Sequence, residues 1–111
     1  MEDCLFCKIV AGEIPCSKVY EDDMVLAFND ISPAAPVHVL VIPKKHFRNF
    51  VETEDAYITA IKNAVTKITK ELNIDEEGYR LVFNTGDNGG QTVHHLHCHI
   101  LGGRFMQWPP G

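Results

Sequence analysis

The chain has 111 residues, of which 45% are hydrophobic and 23% are charged. These values are typical of a globular domain, and they exclude a disordered tail, a collagen-like fibre and a coiled coil. Lys and Arg number 10 against 15 Asp and Glu, a net charge of −5 with His neutral. This balance argues against a nucleic-acid-binding protein that neutralises phosphates, although a pocket for one phosphate needs only local donors. We therefore expect one domain, residues 1–111.

The sequence predicts neither a targeting segment nor a membrane anchor. No basic segment followed by an apolar one stands at the N-terminus, as a secretory signal would require. The longest apolar stretch, Val37 to Ile42, is far too short to span a bilayer. We expect a protein of the cytoplasm, with the nucleus as a second compartment, that binds neither membranes nor nucleic acid. In a reducing compartment its four cysteines are thiols or metal ligands.

The N-terminal part of the chain predicts one short helix followed by three strands. The helix covers residues 4–10 and ends before Gly12 and Pro15. The strands are expected at residues 18–21, 24–29 and 37–42. A polar turn separates the first two strands, and a connection with two prolines precedes the third.

The 53–73 stretch predicts the long helix of the chain, because its apolar residues recur at helical spacing. These residues are Tyr57, Ile61, Ala64, Val65, Ile68 and Leu72. We expect Thr53 to be the N-cap and Asn73 to terminate the helix.

Two further strands are predicted at residues 79–84 and 95–101, joined by a glycine-rich loop. Five strands with short connections and one long helix indicate an α+β fold. We expect a mainly antiparallel five-stranded sheet with the long helix packed on one face, together with the short N-terminal helix.

The last predicted strand carries three histidines in strict alternation. Because side chains alternate faces along a strand, His95, His97 and His99 share one face, with neighbours about 7 Å apart. Leu96, Cys98 and Ile100 take the other face, where they can pack under the helix. Two functions suit a row of imidazoles: a transition-metal site, or catalysis in which one ring attacks while its neighbours orient it or move protons.

The glycine-rich loop before this strand favours catalysis. Residues 84–92 supply glycine turns, amide donors and a hydroxyl, and successive N–H groups in such a loop can bind an anion. It is not a P-loop, because no Gly-Lys-Ser/Thr follows. An oxyanion site beside a nucleophilic imidazole is what phosphoryl or nucleotidyl transfer needs.

Cys4 and Cys7 form a Cys-x-x-Cys pair near the N-terminus. This spacing commonly provides half of a zinc site. The sequence leaves two alternatives open, a redox motif and a pair of buried thiols.

Taken together, these segments resemble the histidine triad family. Residues 95–101 fit its signature of histidines alternating with hydrophobic residues, and three upstream segments match in order, at residues 28–33, 38–46 and 89–92. The tail, residues 101–111, resembles the HINT branch in particular. One departure is His94, where an aromatic or apolar residue is usual, and we assign it no role.

The resemblance implies a homodimer in which two sheets join edge to edge, and a pocket for purine nucleoside monophosphates such as AMP. It implies that the middle histidine, His97, attacks the α-phosphorus to give a covalent nucleotidyl-histidine that water then hydrolyses. Leaving groups in the HINT branch are typically amines, so the implied activity is that of a purine nucleoside phosphoramidase.

The resemblance also assigns roles to other residues. His99 is implied as the proton donor to the leaving nitrogen or as network support, with His38 as its partner. Asp30 is carried over as the ribose ligand, and the base pocket as Phe6, Ile9, Phe28 and Ile31. The residues carried over for the phosphate are Asn84, Gly90, Gln91 and Thr92. Trp108 is expected at the active site of the other subunit.

Relatives with the same cysteine pair hold zinc with two histidines, which correspond here to His46 and His95. The predicted structural zinc site is therefore Cys4, Cys7, His46 and His95. Because other HINT-branch members lack the cysteines, the resemblance implies that catalysis needs no metal.

Three functions remain open from the sequence. The first is hydrolysis of purine nucleoside phosphoramidates. The second is hydrolysis of dinucleoside polyphosphates by the same nucleophile. The third is a nucleotide- or zinc-binding adaptor in which catalysis is incidental.

Overall fold

A computed structural model describes residues 3–111 of the chain. Two helices and five strands follow one another in the order α1 (Leu5–Val10), β1 (Lys18–Glu21), β2 (Val25–Asn29), β3 (Val37–Pro43), α2 (Asp55–Glu71), β4 (Arg80–Val82) and β5 (Cys98–Gly102). The predicted α+β class is confirmed. Within the described residues no helix is both long and apolar enough to cross a membrane.

The strands form one antiparallel sheet in the order β1-β2-β3-β5-β4. The central strand β3 pairs with β2 on one side and with β5 on the other. Its register places Leu40 opposite His99 and His38 opposite Leu101. Because directly opposite residues share a face, His38 and His99 are diagonal neighbours on the same face of the sheet.

The sheet is covered on both faces, which explains why six of the seven residues of β3 are buried. One face packs against α2 through residues that include Val39, Val41, Leu96, Cys98 and Ile100. The other face packs against α1 through Phe6, Leu26, Phe28, Leu40 and Ile42. The three histidines were predicted on the face opposite Leu96, Cys98 and Ile100, and this is the face that α1 covers.

Helix α2 is shorter than predicted at both ends. Its N-cap is Glu54, and the predicted N-cap Thr53 is buried, with its hydroxyl donating to the carbonyl oxygen of Asn49 at 2.7 Å. The helix ends at Glu71, and Leu72, predicted on the apolar face, is 36% exposed. Asn73 follows with a φ of 57°, a left-handed conformation that stops a helix.

The last two strands are also shorter than predicted. β5 begins at Cys98 instead of His95, and β4 covers only Arg80–Val82. His95 and His97 therefore lie in the segment before β5. The main-chain N–H of Leu96 donates to the carbonyl oxygen of Phe47, outside the sheet, and this bond holds the segment in place.

Candidate functional site

His97 is held by its own main chain. Its Nδ1 lies 2.8 Å from the carbonyl oxygen of His95, and since a carbonyl only accepts, Nδ1 carries the hydrogen. The lone pair of the neutral ring is therefore on Nε2. Burial lowers the pKa of His97, and its hydrogen bond to His95 opposes that effect. At neutral pH the ring is an uncharged base whose available nitrogen is Nε2.

A chain of hydrogen bonds fixes the ring of His99. The main-chain N–H of Ala34 donates to Nδ1 of His38 at 3.0 Å, which places the hydrogen of His38 on Nε2. That Nε2 lies 2.9 Å from Nδ1 of His99 and donates to it. His99 must then carry its own hydrogen on Nε2, so it presents a donor at the nitrogen that does not face His38.

Asp30 lies beside the hydrogen bond between His38 and His99. One carboxylate oxygen accepts the N–H of Ser32 at 2.8 Å, and the other lies 3.5 Å from Nε2 of His38. Burial, then the neighbouring His97 and His38, lower the pKa of His99 to about 4, and Asp30 offsets this only in part. In the free protein His99 is therefore neutral at pH 7.

Asp30, His97 and His99 line one cavity of about 300 Å³ between α1, β2, β3 and the segment before β5. Eight of the residues predicted for the nucleotide lie on its wall: Phe6, Ile9, Phe28, Asp30, Ile31, Thr92, His97 and His99. Phe6 and Ile9 come from α1 and Phe28 from β2, whereas the polar Asp30 follows β2 and His99 belongs to β5. The cavity therefore has an apolar part beside a polar one, as a nucleotide requires.

Four of the residues predicted for the nucleotide do not line this cavity. Asn84 donates to the carbonyl oxygen of Gly89 at 2.7 Å, inside the glycine-rich loop. Gln91 is buried, accepts the N–H of Gly86 and donates to the carbonyl oxygens of Arg48 and Val93. Gly90 donates its N–H to the carbonyl oxygen of Asp87. In this structure these amides hold the loop together and attach it to the segment of Arg48.

Trp108, the fourth of them, is 79% exposed and lies away from the cavity of its own chain. The guanidinium carbon of Arg80 lies over its ring, 5.8 Å from the ring centroid. Arg80 also donates to the carbonyl oxygen of Gln107 at 2.9 Å, so the C-terminal tail is attached to strand β4.

Part of the cavity wall was not predicted from the sequence, including Leu5, Ile14, Cys16, Leu40 and Val93. Leu40 could have been found, because it alternates with His38 along β3 and so shares its face. The contributions of Ile14 and Cys16 depend on how the segment after α1 folds back, and no local pattern predicts that.

The second constellation is the cluster Cys4, Cys7, His46 and His95, the four residues predicted as metal ligands. One ligand atom from each lies within 4.8 Å of all the others. Nδ1 of His95 lies 3.3 Å from Sγ of Cys4, 3.5 Å from Sγ of Cys7 and 3.1 Å from Nδ1 of His46. Sγ of Cys7 and Nδ1 of His46 are 3.3 Å apart.

The cluster fits zinc in donor chemistry and in size. Two thiolates and two imidazoles are a preferred zinc ligand set, and tetrahedral bonds of about 2.0–2.3 Å separate the ligand atoms by roughly 3.3–3.8 Å. Nε2 of His95 donates to the carbonyl oxygen of Pro43 at 2.9 Å, which leaves the lone pair on Nδ1, the atom within the cluster. The pairing of each thiol with an imidazole favours a metal site over a redox motif.

Without a metal, burial disfavours the charged forms of the cluster side chains. Burial, with the adjacent Cys4, raises the pKa of the Cys7 thiol to about 11. Burial lowers the pKa of His95 to about 4, although the Pro43 carbonyl opposes this. A cation at the centre would stabilise both the thiolates and the neutral imidazoles.

His94 and Cys98 belong to neither group of side chains. His94 is exposed and does not line the cavity described above. Cys98 is fully buried in the core under α2, where burial raises the pKa of its thiol to about 12.

Comparison with known proteins matches residues 11–106 to the HIT domain. The 14 kDa zinc-binding protein of Brassica juncea is 44% identical, over 98% of this chain and all of that protein. A crystal structure of a HIT family hydrolase from Legionella pneumophila superimposes with a TM-score of 0.90 at 49% identity, covering 98% of this chain and 100% of that one. The histidine triad nucleotide-binding protein of Candida albicans gives a TM-score of 0.87 at 38% identity, covering 96% and 83% of the two chains.

Proposed function

The chain belongs to the HIT family, and from that premise we propose that it hydrolyses purine nucleoside phosphoramidates through a covalent nucleotidyl intermediate on His97. One observation carries the proposal: Nδ1 of His97 donates to the main chain, so the free lone pair is on Nε2 of a residue that lines the cavity. A related hydrolase and a related nucleotide-binding protein support the class of reaction and of ligand.

The cavity has room for the parts of a nucleoside monophosphate in the order the reaction needs. The base packs among Phe6, Ile9 and Phe28, which form the apolar wall. The ribose hydroxyls donate to Asp30, whose carboxylate is a double acceptor at the polar end. The phosphate then lies beside Thr92, His97 and His99.

The first chemical step exchanges a phosphorus–nitrogen bond of the substrate for one on the enzyme. The Nε2 lone pair of His97 attacks the α-phosphorus, and the bond to the leaving nitrogen breaks. The resulting phosphorylated ring is cationic, and the carbonyl of His95, which accepts from Nδ1, stabilises that charge. Water then attacks the phosphorus, releases the nucleoside monophosphate and returns one proton to solvent.

The leaving nitrogen must take up a proton to depart as an amine, and His99 is our candidate donor. His99 is neutral in the free protein, but an adjacent anionic phosphate favours the charged imidazolium and raises its pKa. Its Nδ1 then takes up a proton, and the Nε2–H of His38 turns from that nitrogen to the Asp30 carboxylate, 3.5 Å away. The substrate therefore creates the condition under which His99 can donate. In the free protein the bond from His38 keeps the Nε2–H of His99 available for that donation.

We further propose that Cys4, Cys7, His46 and His95 hold one structural zinc ion, as the donor set and the name of the Brassica juncea relative suggest. Zinc would supply a crosslink between α1, the segment after β3 and the segment before β5. The reaction does not pass through it.

We propose that two chains pair through strand β4. Among the described residues β4 is paired on one side only, and its Leu81 is 43% exposed. The opposite edge strand, β1, begins with Lys18 and ends with Glu21, and charges of this kind discourage edge pairing. Because Arg80 attaches the tail to β4, such a dimer carries Trp108 towards the partner chain and supports assignment to the HINT branch.

The test is turnover of a fluorogenic adenosine phosphoramidate by a His97→Ala variant. We expect kcat/KM to fall by about 10³-fold or more, because no other residue of the cavity takes the place of the nucleophile. A His94→Ala variant is the matched control, since this exposed histidine lies outside the cavity, and it should retain wild-type kcat/KM. Retained turnover in His97→Ala would contradict the proposal.

Competition between substrates separates the phosphoramidase from the alternatives. A preference for the phosphoramidate over a dinucleoside polyphosphate, measured in one mixture, is the expected result. A preference for the anhydride would move the assignment to the second activity. Tight AMP binding with negligible turnover of both substrates would indicate an adaptor.

A further inference from the structure

Helix α1 contributes to both constellations described above. Cys4, its N-cap, and Cys7, in its first turn, belong to the metal cluster. Phe6 and Ile9, from the same helix, line the nucleotide cavity. The helix and its N-cap therefore supply two metal ligands to one site and part of the apolar wall to the other.

The helix cannot hold this position alone. A helix of six residues is far below the length at which isolated helices are stable in water. Its attachment comes from the apolar contacts of Phe6, Ile9 and Val10 and from the contacts of the two cysteines with His46 and His95. Loss of the cysteine contacts would leave the apolar wall of the cavity attached through apolar contacts alone.

A second route joins the two sites through His95. Its ring belongs to the metal cluster, and its carbonyl oxygen orients Nδ1 of His97. The ring of Phe6 packs edge-on against both histidines, at centroid distances of 5.8 Å to His95 and 5.1 Å to His97. Any shift of His95 is therefore transmitted to the nucleotide cavity by its main chain and by Phe6.

We infer that metal binding at the cysteine cluster and nucleotide binding in the cavity are thermodynamically coupled, with Phe6 as the main positioning residue between them. The inference rests on the proposed function for the identity of the nucleotide. It goes beyond a structural crosslink, because it makes the affinity for nucleotide depend on metal occupancy. Linkage then requires that nucleotide strengthen metal binding by the same factor.

The test measures both sides of this linkage on the full chain. Zn²⁺ affinity is measured by competition with a chromophoric chelator, without AMP and with saturating AMP. AMP affinity is measured by calorimetry on the zinc-loaded and the metal-free protein. We expect each ligand to tighten the other at least fivefold, by equal factors, which is within the usual range of coupling between sites.

Equal Zn²⁺ affinities with and without AMP would overturn the inference. Failure of AMP to bind the zinc-loaded protein would instead contradict the proposed function, so the two outcomes are distinct. A Cys4→Ser, Cys7→Ser double variant should bind AMP as weakly as the metal-free wild type does.

A Phe6→Leu variant tests the route. It shortens the side chain that contacts both histidines and leaves the four cluster residues intact, and its Zn²⁺ affinity in the absence of AMP is the baseline against which its coupling factor is measured. The coupling factor should fall towards one, whereas a His94→Gln control should keep the wild-type factor. Undiminished coupling in Phe6→Leu would overturn the assigned route and indicate that zinc acts through the stability of the whole fold.

Discussion

At the scale of single residues, the chemistry depends on which ring nitrogen carries the hydrogen. In each of three histidines a fixed partner decides this: the carbonyl of Pro43 for His95, the carbonyl of His95 for His97, and the N–H of Ala34 for His38. The sequence predicted that His95, His97 and His99 share a face, because alternation is a local property of an extended chain. The sequence could not predict the tautomers. Pro43 is 52 residues from His95, and the N–H of Ala34 reaches His38 only because of how the connection before β3 folds.

The buried His99 makes stability depend on pH. Its pKa is about 4 in the folded protein against 6.5 ordinarily, so between these values the unfolded chain binds a proton that the folded chain does not. The free energy of unfolding should therefore fall as the pH is lowered from about 6.5 to about 4, and His99 should contribute up to about 1.4 kcal/mol per pH unit. Urea denaturation across this pH range measures the slope.

A His99→Asn variant isolates this contribution. Its amide oxygen can still accept from His38, while Asp30 and His97, the other charged or titratable neighbours, are unchanged. The slope of unfolding free energy against pH should be smaller in the variant by up to about 1.4 kcal/mol per pH unit, which corresponds to one proton. An unchanged slope would show that His99 is protonated alike in the folded and unfolded chains.

At the scale of elements, existence and order were predictable, and several boundaries were not. The helical period predicted α2 and its buried face, but the bond from Thr53 to Asn49 competes with the cap and delays the helix start to Asp55. Likewise the segment from His95 to His97 has the alternating sequence pattern of a strand. In the structure the main-chain N–H of Leu96 donates to Phe47 and not to a neighbouring strand. In both places a tertiary hydrogen bond overrides the local signal.

The glycine-rich loop yields a prediction at this scale. A Cβ at Gly89 would lie 2.3 Å from the main-chain oxygen of Thr85, so the loop must open to admit it. We expect Gly89→Ala to lower the unfolding free energy by about 1–3 kcal/mol. It should also raise the KM for nucleotide substrate, because Thr92 follows the loop into the cavity. Thermal denaturation and steady-state kinetics measure the two effects.

Gly86 provides the control for this loop. It has a φ of 70° with no neighbouring atom within 4 Å of an added Cβ, and asparagine tolerates this conformation better than other residues. Gly86→Asn should therefore perturb stability and KM less than Gly89→Ala. Equal effects of the two substitutions would argue against the close approach at Thr85.

At the scale of the whole molecule, the sheet edge at β4 determines assembly. We expect Leu81→Arg to weaken self-association at least tenfold, because two like charges would meet across the two-fold interface. Asp23→Arg, in the turn between β1 and β2, should leave association unchanged. Sedimentation equilibrium measures both, and a wild-type protein that is monomeric at micromolar concentration would contradict the proposed pairing.

Trapping the intermediate tests the central proposal most directly. The protein is mixed with an adenosine phosphoramidate, quenched in base within milliseconds, digested at alkaline pH to preserve the acid-labile phosphorus–nitrogen bond, and analysed by mass spectrometry. We predict one adenylate bound to the peptide that carries His97, and none on that peptide in His97→Ala. An adenylate on a different side chain, or full turnover with no covalent protein adduct at any quench time, would contradict the account.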